Sequence, residues 1–136
     1  MELNTYLLFH GNCRQALEFY EHALGARIES VFTYAGSPMD GGTPEGWGDK
    51  VMHARITIAG QIVMASDAPP DRQQKQGGFS MSISVSDPAE ADRVFQALTA
   101  GGQITMPMQE TFWAKRFGML VDRFGIPWMV NCEKTM

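Results

Sequence analysis

Apolar and polar positions along this chain fall into two stretches with the same order of elements. Residues 4–10 (NTYLLFH) carry the apolar and aromatic content of a strand, and Gly11-Asn12 interrupts it. Asn12 is placed to cap a helix with Gln15 as its capping-box partner. The spacing over Cys13 to Leu24 puts Ala16, Leu17, Phe19, Tyr20 and Leu24 largely on one helical face, and Gly25 follows as a left-handed stop. Three strands are predicted next, near residues 27–34, 51–59 and 61–66, with Gly60 turning between the last two.

The second stretch repeats this order. Residues 79–86 alternate Ser with Met, Ile and Val, which predicts a strand with one apolar face and one hydroxyl-lined face. Asp87-Pro88-Ala89-Glu90 reads as a helix start, with Asp as cap, Pro in the first helical position and Glu at the capping-box site. That helix runs to about Thr99 and stops at Gly101-Gly102. Strands near residues 104–110, 116–121 and 126–131 complete the stretch, the last two joined by a tight turn, Asp122-Arg123-Phe124-Gly125. The letters also align, FYEHALGARI from Phe19 over FQALTAGGQI from Phe95, and a one-residue shift sets Asn12 over Asp87. The pattern predicts an α+β fold of two tandem βαβββ modules, about 1–67 and 78–133, within one domain spanning 1–136.

Two segments break the pattern. Residues 35–49 (AGSPMDGGTPEGWGD) are too rich in Gly and Pro for regular structure and read either as a lid over a site or as a plain connection. Within them, Trp47 is placed to fold over a ligand or to meet a second subunit. Residues 68–78 read as the linker between modules, stiffened by Pro69-Pro70.

Composition narrows the function. The 136 residues are 44% hydrophobic, enough for a buried core, and the net charge of −4 with no basic stripe argues against a nucleic-acid partner. No apolar run approaches the ~20 residues of a membrane span, and the first residues lack a basic leader, so a cytoplasmic protein with no membrane partner is expected. Cys13 and Cys132 show no C-x-x-C spacing and read as free thiols, a disulfide being the alternative. Ser66, Ser80, Ser82, Ser84 and Ser86 sit in strand patterns without a nucleophile elbow, and Gly41-Gly42 and Gly101-Gly102 are not a G-x-G-x-x-G loop. Neither a nicotinamide nor an adenosylmethionine loop is indicated. Ten Met residues suit an adaptable apolar pocket as well as an ordinary core.

Three segments in order, GNCRQALEFYEHALG, DKVMHARITIAGQIVMASDAP and FWAKRFGMLVDRFGIPWMVNCE, cover nearly the whole chain and resemble the vicinal oxygen chelate superfamily. That group includes glyoxalase I, extradiol dioxygenases, fosfomycin-resistance enzymes and bleomycin-binding proteins, and the resemblance is to its PhnB-like branch. It implies two modules whose sheets curl into open cups, and a homodimer. It also implies metal-ligand positions at the first and last strands of each module, which fall here on Thr5, Met64, Ser80 and Met129. Divalent ions want imidazole, carboxylate or thiolate, so hydroxyls and thioethers at those positions make a poor site; no metal and no cofactor is expected, with Cu(I) a thin alternative. The same positions imply a small-molecule pocket shared by Thr5, Leu7, Met64, Ser80, Ser82, Met129 and Asn131, with Trp113 as a wall.

His22 reads as solvated and His10 as locally bonded, which leaves His53, on its predicted strand beside Met52, as the acid/base candidate. Its alternative is a hydrogen-bonded structural histidine. Glu110 reads as a base or orienting group, or as an edge charge. Two functions follow as expectations: a binding protein with a metal-free apolar pocket, or a glyoxalase- or dioxygenase-type enzyme with a relocated metal or acid/base site, His53 or Glu110, acting on a small metabolite.

Overall fold

The computed structural model describes residues 1–38, 41 and 43–134. The elements run β1 (Thr5–Phe9), α1 (Cys13–Leu24), β2 (Arg27–Thr33), β3 (Val51–Ile58), β4 (Gln61–Asp67), β5 (Met81–Ser84), α2 (Pro88–Thr99), β6 (Gln103–Gln109), β7 (Ala114–Val121) and β8 (Pro127–Glu133). They form two mixed four-stranded sheets, ordered β1-β4-β3-β2 and β5-β8-β7-β6. In each sheet one pair is parallel, β1 with β4 and β5 with β8, and the other neighbours are antiparallel. This is the two-module glyoxalase/bleomycin resistance-like fold. The chain divides into two compact units, Met1–Gln74 and Lys75–Met136, with the break inside the expected linker.

Each sheet buries one face under its helix. In the first unit Leu7, Phe9, Ala54, Ile56, Val63 and Ala65 are buried together with Ala16, Leu17 and Tyr20 of α1. In the second, Leu120, Trp128 and Val130 lie under Ala91, Val94, Phe95 and Leu98 of α2. Burial of each large side chain contributes roughly 1.5–3 kcal/mol, so these two faces supply most of the driving force for folding.

Local chemistry sets the ends of the elements. The β3–β4 turn holds two left-handed residues, Ala59 at φ 51° and Gly60 at φ 79°, the two-residue hairpin loop whose twist matches its strands. In β7, Gly118 lets α2 approach, because a Cβ there would stand 2.7 Å from both Phe95 Cε2 and Met108 Sδ. The Asp87 carboxylate caps α2 by accepting from the Ala89 N–H at 3.1 Å, while Glu90 forms an ion pair with Arg93 at 2.8 Å.

Three expectations need correction. The Asn12 side chain makes no capping bond; the first turn of α1 is capped from a distance by Asp67 at the end of β4, described below. The letter alignment of Phe19 with Phe95 is one residue out of phase. Counted from the caps, it is Tyr20 that corresponds to Phe95; both are buried, whereas Phe19 is half-buried. A three-residue connection after α2, against two after α1, restores the phase before the next strand. Finally, β5 is shorter than the expected 79–86, and β7 and β8 are longer, because the ladder continues to pair Ala114 with Glu133 beyond the hydrophobic run. No helix among the described residues is long and apolar enough to cross a membrane.

Candidate functional site

Strand alternation leaves each sheet a second face, away from its helix. In the first unit this open face carries a row across three strands, with Tyr6 of β1 opposite Met64 of β4 and Met64 opposite Arg55 of β3. Beside it His53 of β3 lies opposite Phe32 of β2. The Tyr6 hydroxyl and His53 Nδ1 are 3.1 Å apart and their rings 5.7 Å apart. With Nδ1 unprotonated, the hydroxyl donates and the imidazole is held in one tautomer.

The register moves part of the expected pocket. Leu7 lies opposite Ala65 on the helix side and is 1% exposed, so it belongs to the core and not to the Met64 face. Thr5 has the same parity as Leu7 and sits opposite Val63. The open-face residues of β1 are Tyr6 and Leu8, a one-residue slip from the transferred positions.

The second open face carries two rows. Ser82, Met129, Met119 and Met106 lie opposite one another across β5, β8, β7 and β6. Ser84, Asn131, Phe117 and Gln109 form the next row. The Trp113 indole N–H donates to Asn131 Oδ1 at 3.3 Å, and its ring meets Phe117 edge-on at 5.2 Å. This orients the Asn131 amide, which is only 8% exposed. Among the described residues the buried Ser80 hydroxyl oxygen has no hydrogen-bond partner, an arrangement that costs about 1–3 kcal/mol. Ser82, Trp113, Met129 and Asn131 thus lie on one face, while Thr5, Leu7 and Met64 belong to the other unit.

The two acid/base candidates are likewise separated between units. Glu110 is largely exposed and paired with Lys134 at 3.1 Å. Trp47, half-buried, stands over Gly11, its ring 3.6 Å from where a Cβ on that glycine would sit.

As for a metal, the structure sets Tyr6 against Met64 and Ser82 against Met129. A thioether with a phenol in one unit, or with an aliphatic hydroxyl in the other, does not suit a divalent cation. Among the described residues no group of three or more His, Cys, Asp and Glu converges on a point. These residues do not fit a divalent metal ion.

No sequence motif points to the polar cluster around Asp67, at the start of a loop. The Asp67 carboxylate is 1% exposed and accepts three backbone N–H bonds, from Gly11 and Cys13 on Oδ1 and from Val51 on Oδ2, each at 2.9 Å. The Tyr34 hydroxyl donates to the Asp67 carbonyl at 2.8 Å, and Lys50 Nζ donates to the Gly11 carbonyl at 3.0 Å. One carboxylate therefore ties the ends of β1 and β4 to the starts of α1 and β3. Burial raises the Tyr34 phenol above its ordinary range, and Asp67 adds to the rise.

Burial also pushes the Cys13 thiol up from 9.0 to about 12, with Asp67 adding to the rise and Arg14 opposing it. The folded state then holds this proton to higher pH than the unfolded chain does. Its contribution is fully present below pH 9.0 and is lost as pH rises towards about 12. Wild type should lose on the order of 1.4 kcal/mol per pH unit in that window relative to Cys13→Ala. Chemical denaturation of the two proteins at pH 8 and above pH 10, in steps, measures the difference; parallel curves would contradict it.

The chain is similar to known proteins in sequence and in fold. Residues 1–131 match the family model described as 3-demethylubiquinone-9 3-methyltransferase. Protein YjdN of Escherichia coli K12 is 37% identical over 142 residues, covering 98% of this chain and 97% of that one. The crystal structure of PA1353 from Pseudomonas aeruginosa is 43% identical with a TM-score of 0.88, covering 99% of each chain. A Bacillus cereus structure described as a putative 3-demethylubiquinone-9 3-methyltransferase, PhnB protein, is 26% identical with a TM-score of 0.81, covering 97% of this chain and 99% of that one. The fosfomycin-resistance protein FosX of Listeria monocytogenes shares the fold at 12% identity and a TM-score of 0.67, covering 98% of this chain and 94% of that one.

Proposed function

The chain belongs to the 3-demethylubiquinone-9 3-methyltransferase family, PhnB-like members of the vicinal oxygen chelate superfamily, and we propose that it binds a small organic molecule, without a metal ion, on the open face of its second sheet. The observation that carries this reading is the Trp113–Asn131 bond at 3.3 Å beside Met129, Met119 and Phe117. Methionines offer an adaptable apolar floor, an aromatic ring gives a rigid wall, and a fixed amide orients one polar group of a ligand.

Titration with 8-anilinonaphthalene-1-sulfonate, followed by tryptophan fluorescence, tests the site. Binding should quench the signal, and Trp113→Ala should weaken it about three- to tenfold, the worth of one aromatic contact. Equal binding by both proteins, or none by wild type, would remove this face as the site.

The methyl transfer in the family's name does not follow from this chain's chemistry. Neither sheet order, β1-β4-β3-β2 or β5-β8-β7-β6, is the doubly wound arrangement that cradles an adenosyl cofactor. Calorimetry with S-adenosylmethionine should show no saturable heat; micromolar binding would reverse this part of the reading.

A second reading, an enzyme acting on a small metabolite, is supported by the Tyr6–His53 pair at 3.1 Å beside Arg55 and Met64. Turnover lost in both His53→Ala and Tyr6→Phe would favour it. Glu110, held in its surface pair with Lys134, lends it no support. The homodimer implied by the resemblance stays part of the proposal, supported by Phe112, which is 88% exposed and stacked edge-on against Trp113. A monomer mass by light scattering would overturn it.

A further inference from the structure

The second open face runs into a cavity of about 330 Å³ lined by Ser84, Val85, Ser86, Lys115 and Glu133. That is within the size range of small-molecule sites. Lys115 is half-buried and Glu133 exposed. The residue after each is neutralised, Arg116 by Asp92 at 2.9 Å and Lys134 by Glu110 at 3.1 Å. Lys115 and Glu133 line one space, yet among the described residues neither forms an ion pair with the other or with any third group. Both heads are reached by solvent, so a ligand that carries both counter-charges meets two separate, unpaired groups. The hydroxyls of Ser84 and Ser86 add groups that both donate and accept. Ser84 also lies opposite Asn131, so the cavity adjoins the Met and aromatic rows.

We infer that this pocket recognises a small zwitterion of ω-amino-acid type, whose carboxylate meets Lys115 and whose ammonium meets Glu133, with its short apolar stem between them. The inference rests on the proposed binding role of this face and names the class of its ligand. An anion alone would satisfy Lys115 and meet repulsion from Glu133, and an amine alone would do the reverse, so selectivity for the doubly charged molecule follows from the pair.

The test is a titration of the ¹⁵N-labelled protein with 4-aminobutyrate, butyrate and butylamine, read from the amide shifts of Ser84, Lys115 and Glu133. The zwitterion should saturate these shifts, with butyrate and butylamine at least about tenfold weaker, the worth of one lost charge contact. Lys115→Met and Glu133→Gln should each weaken 4-aminobutyrate by about the same factor, with the rest of the spectrum unchanged. The exchange Lys115→Glu with Glu133→Lys should restore part of the affinity by reversing the ligand. Butyrate binding as tightly as 4-aminobutyrate, with Glu133→Gln indifferent, would overturn the inference in favour of a plain anion site. The absence of any shift at these residues would also overturn it. If 8-anilinonaphthalene-1-sulfonate still reports on Trp113 in that case, the zwitterion inference alone falls; if that probe fails too, the binding role falls with it.

Discussion

Asp67→Ala should lower the free energy of unfolding by about 4 kcal/mol, enough to remove a large part of a typical domain's stability. The carboxylate is buried and its three hydrogen bonds are charge-assisted. Alanine would leave the N–H groups of Cys13 and Val51 buried without an acceptor, at about 1–3 kcal/mol each, with Gly11 partly repaid by water. Asp67→Asn should fall between the two. Its carbonyl can keep Gly11 and Cys13, but its amide sets a donor against the Val51 N–H. Guanidinium denaturation measures both variants. Hydrogen exchange should show α1 and the start of β3 losing protection together, since one side chain holds both. A loss below about 1 kcal/mol for Asp67→Ala would mean that the helix caps itself through Asn12, the arrangement the sequence suggests.

Asp122→Ala should cost about 3 kcal/mol by the same logic applied to a turn. The carboxylate, 3% exposed, accepts from the Phe124 and Ile126 N–H groups at 2.8 and 3.0 Å and from Trp128 Nε1 at 2.9 Å. Trp128 is itself 1% exposed, so alanine strands an indole N–H in the core. A double-mutant cycle separates the turn from the indole: in a Trp128→Phe background the cost of Asp122→Ala should shrink by about 1–2 kcal/mol. An unchanged cost would place all of the effect in the turn backbone. Either aspartate variant should leave the two-sheet topology intact, because the apolar faces that drive it are untouched.

The two carboxylates differ in how far they can be read in advance. Asp122 works within six residues, on Phe124, Ile126 and Trp128, and the D-R-F-G turn signals it directly. Asp67 reaches partners 56, 54 and 16 positions away. No local pattern announces such a bond, and Asn12 occupies the place where a local cap is expected. The same contrast separates the two modules. α2 is capped by its own Asp87, whereas α1 borrows its cap from β4, which only the parallel pairing of β1 with β4 brings within reach.

Periodicity and punctuation were enough for the elements and their order. Apolar alternation marked the strands, the 3.6-residue rhythm marked both helices to within a residue, and Gly25, Gly60 and Gly125 ended segments where the chain must turn left-handed. These signals are local, so they survive without a third dimension. Which side of a strand faces the helix is not local in the same way. Alternation gives two sets of residues, but the register decides which set is buried, and a one-residue slip exchanges them. That slip placed Leu7 in the expected pocket, when its pairing with Ala65 sets it in the core and brings Tyr6 to Met64 and His53 instead. Lys115 and Glu133, on two strands joined by a turn, share a cavity only because β7 and β8 pair beyond their hydrophobic runs. The elements were therefore legible residue by residue. The site was not, because its members meet through hydrogen-bonded register and burial, which depend on residues far apart in the chain.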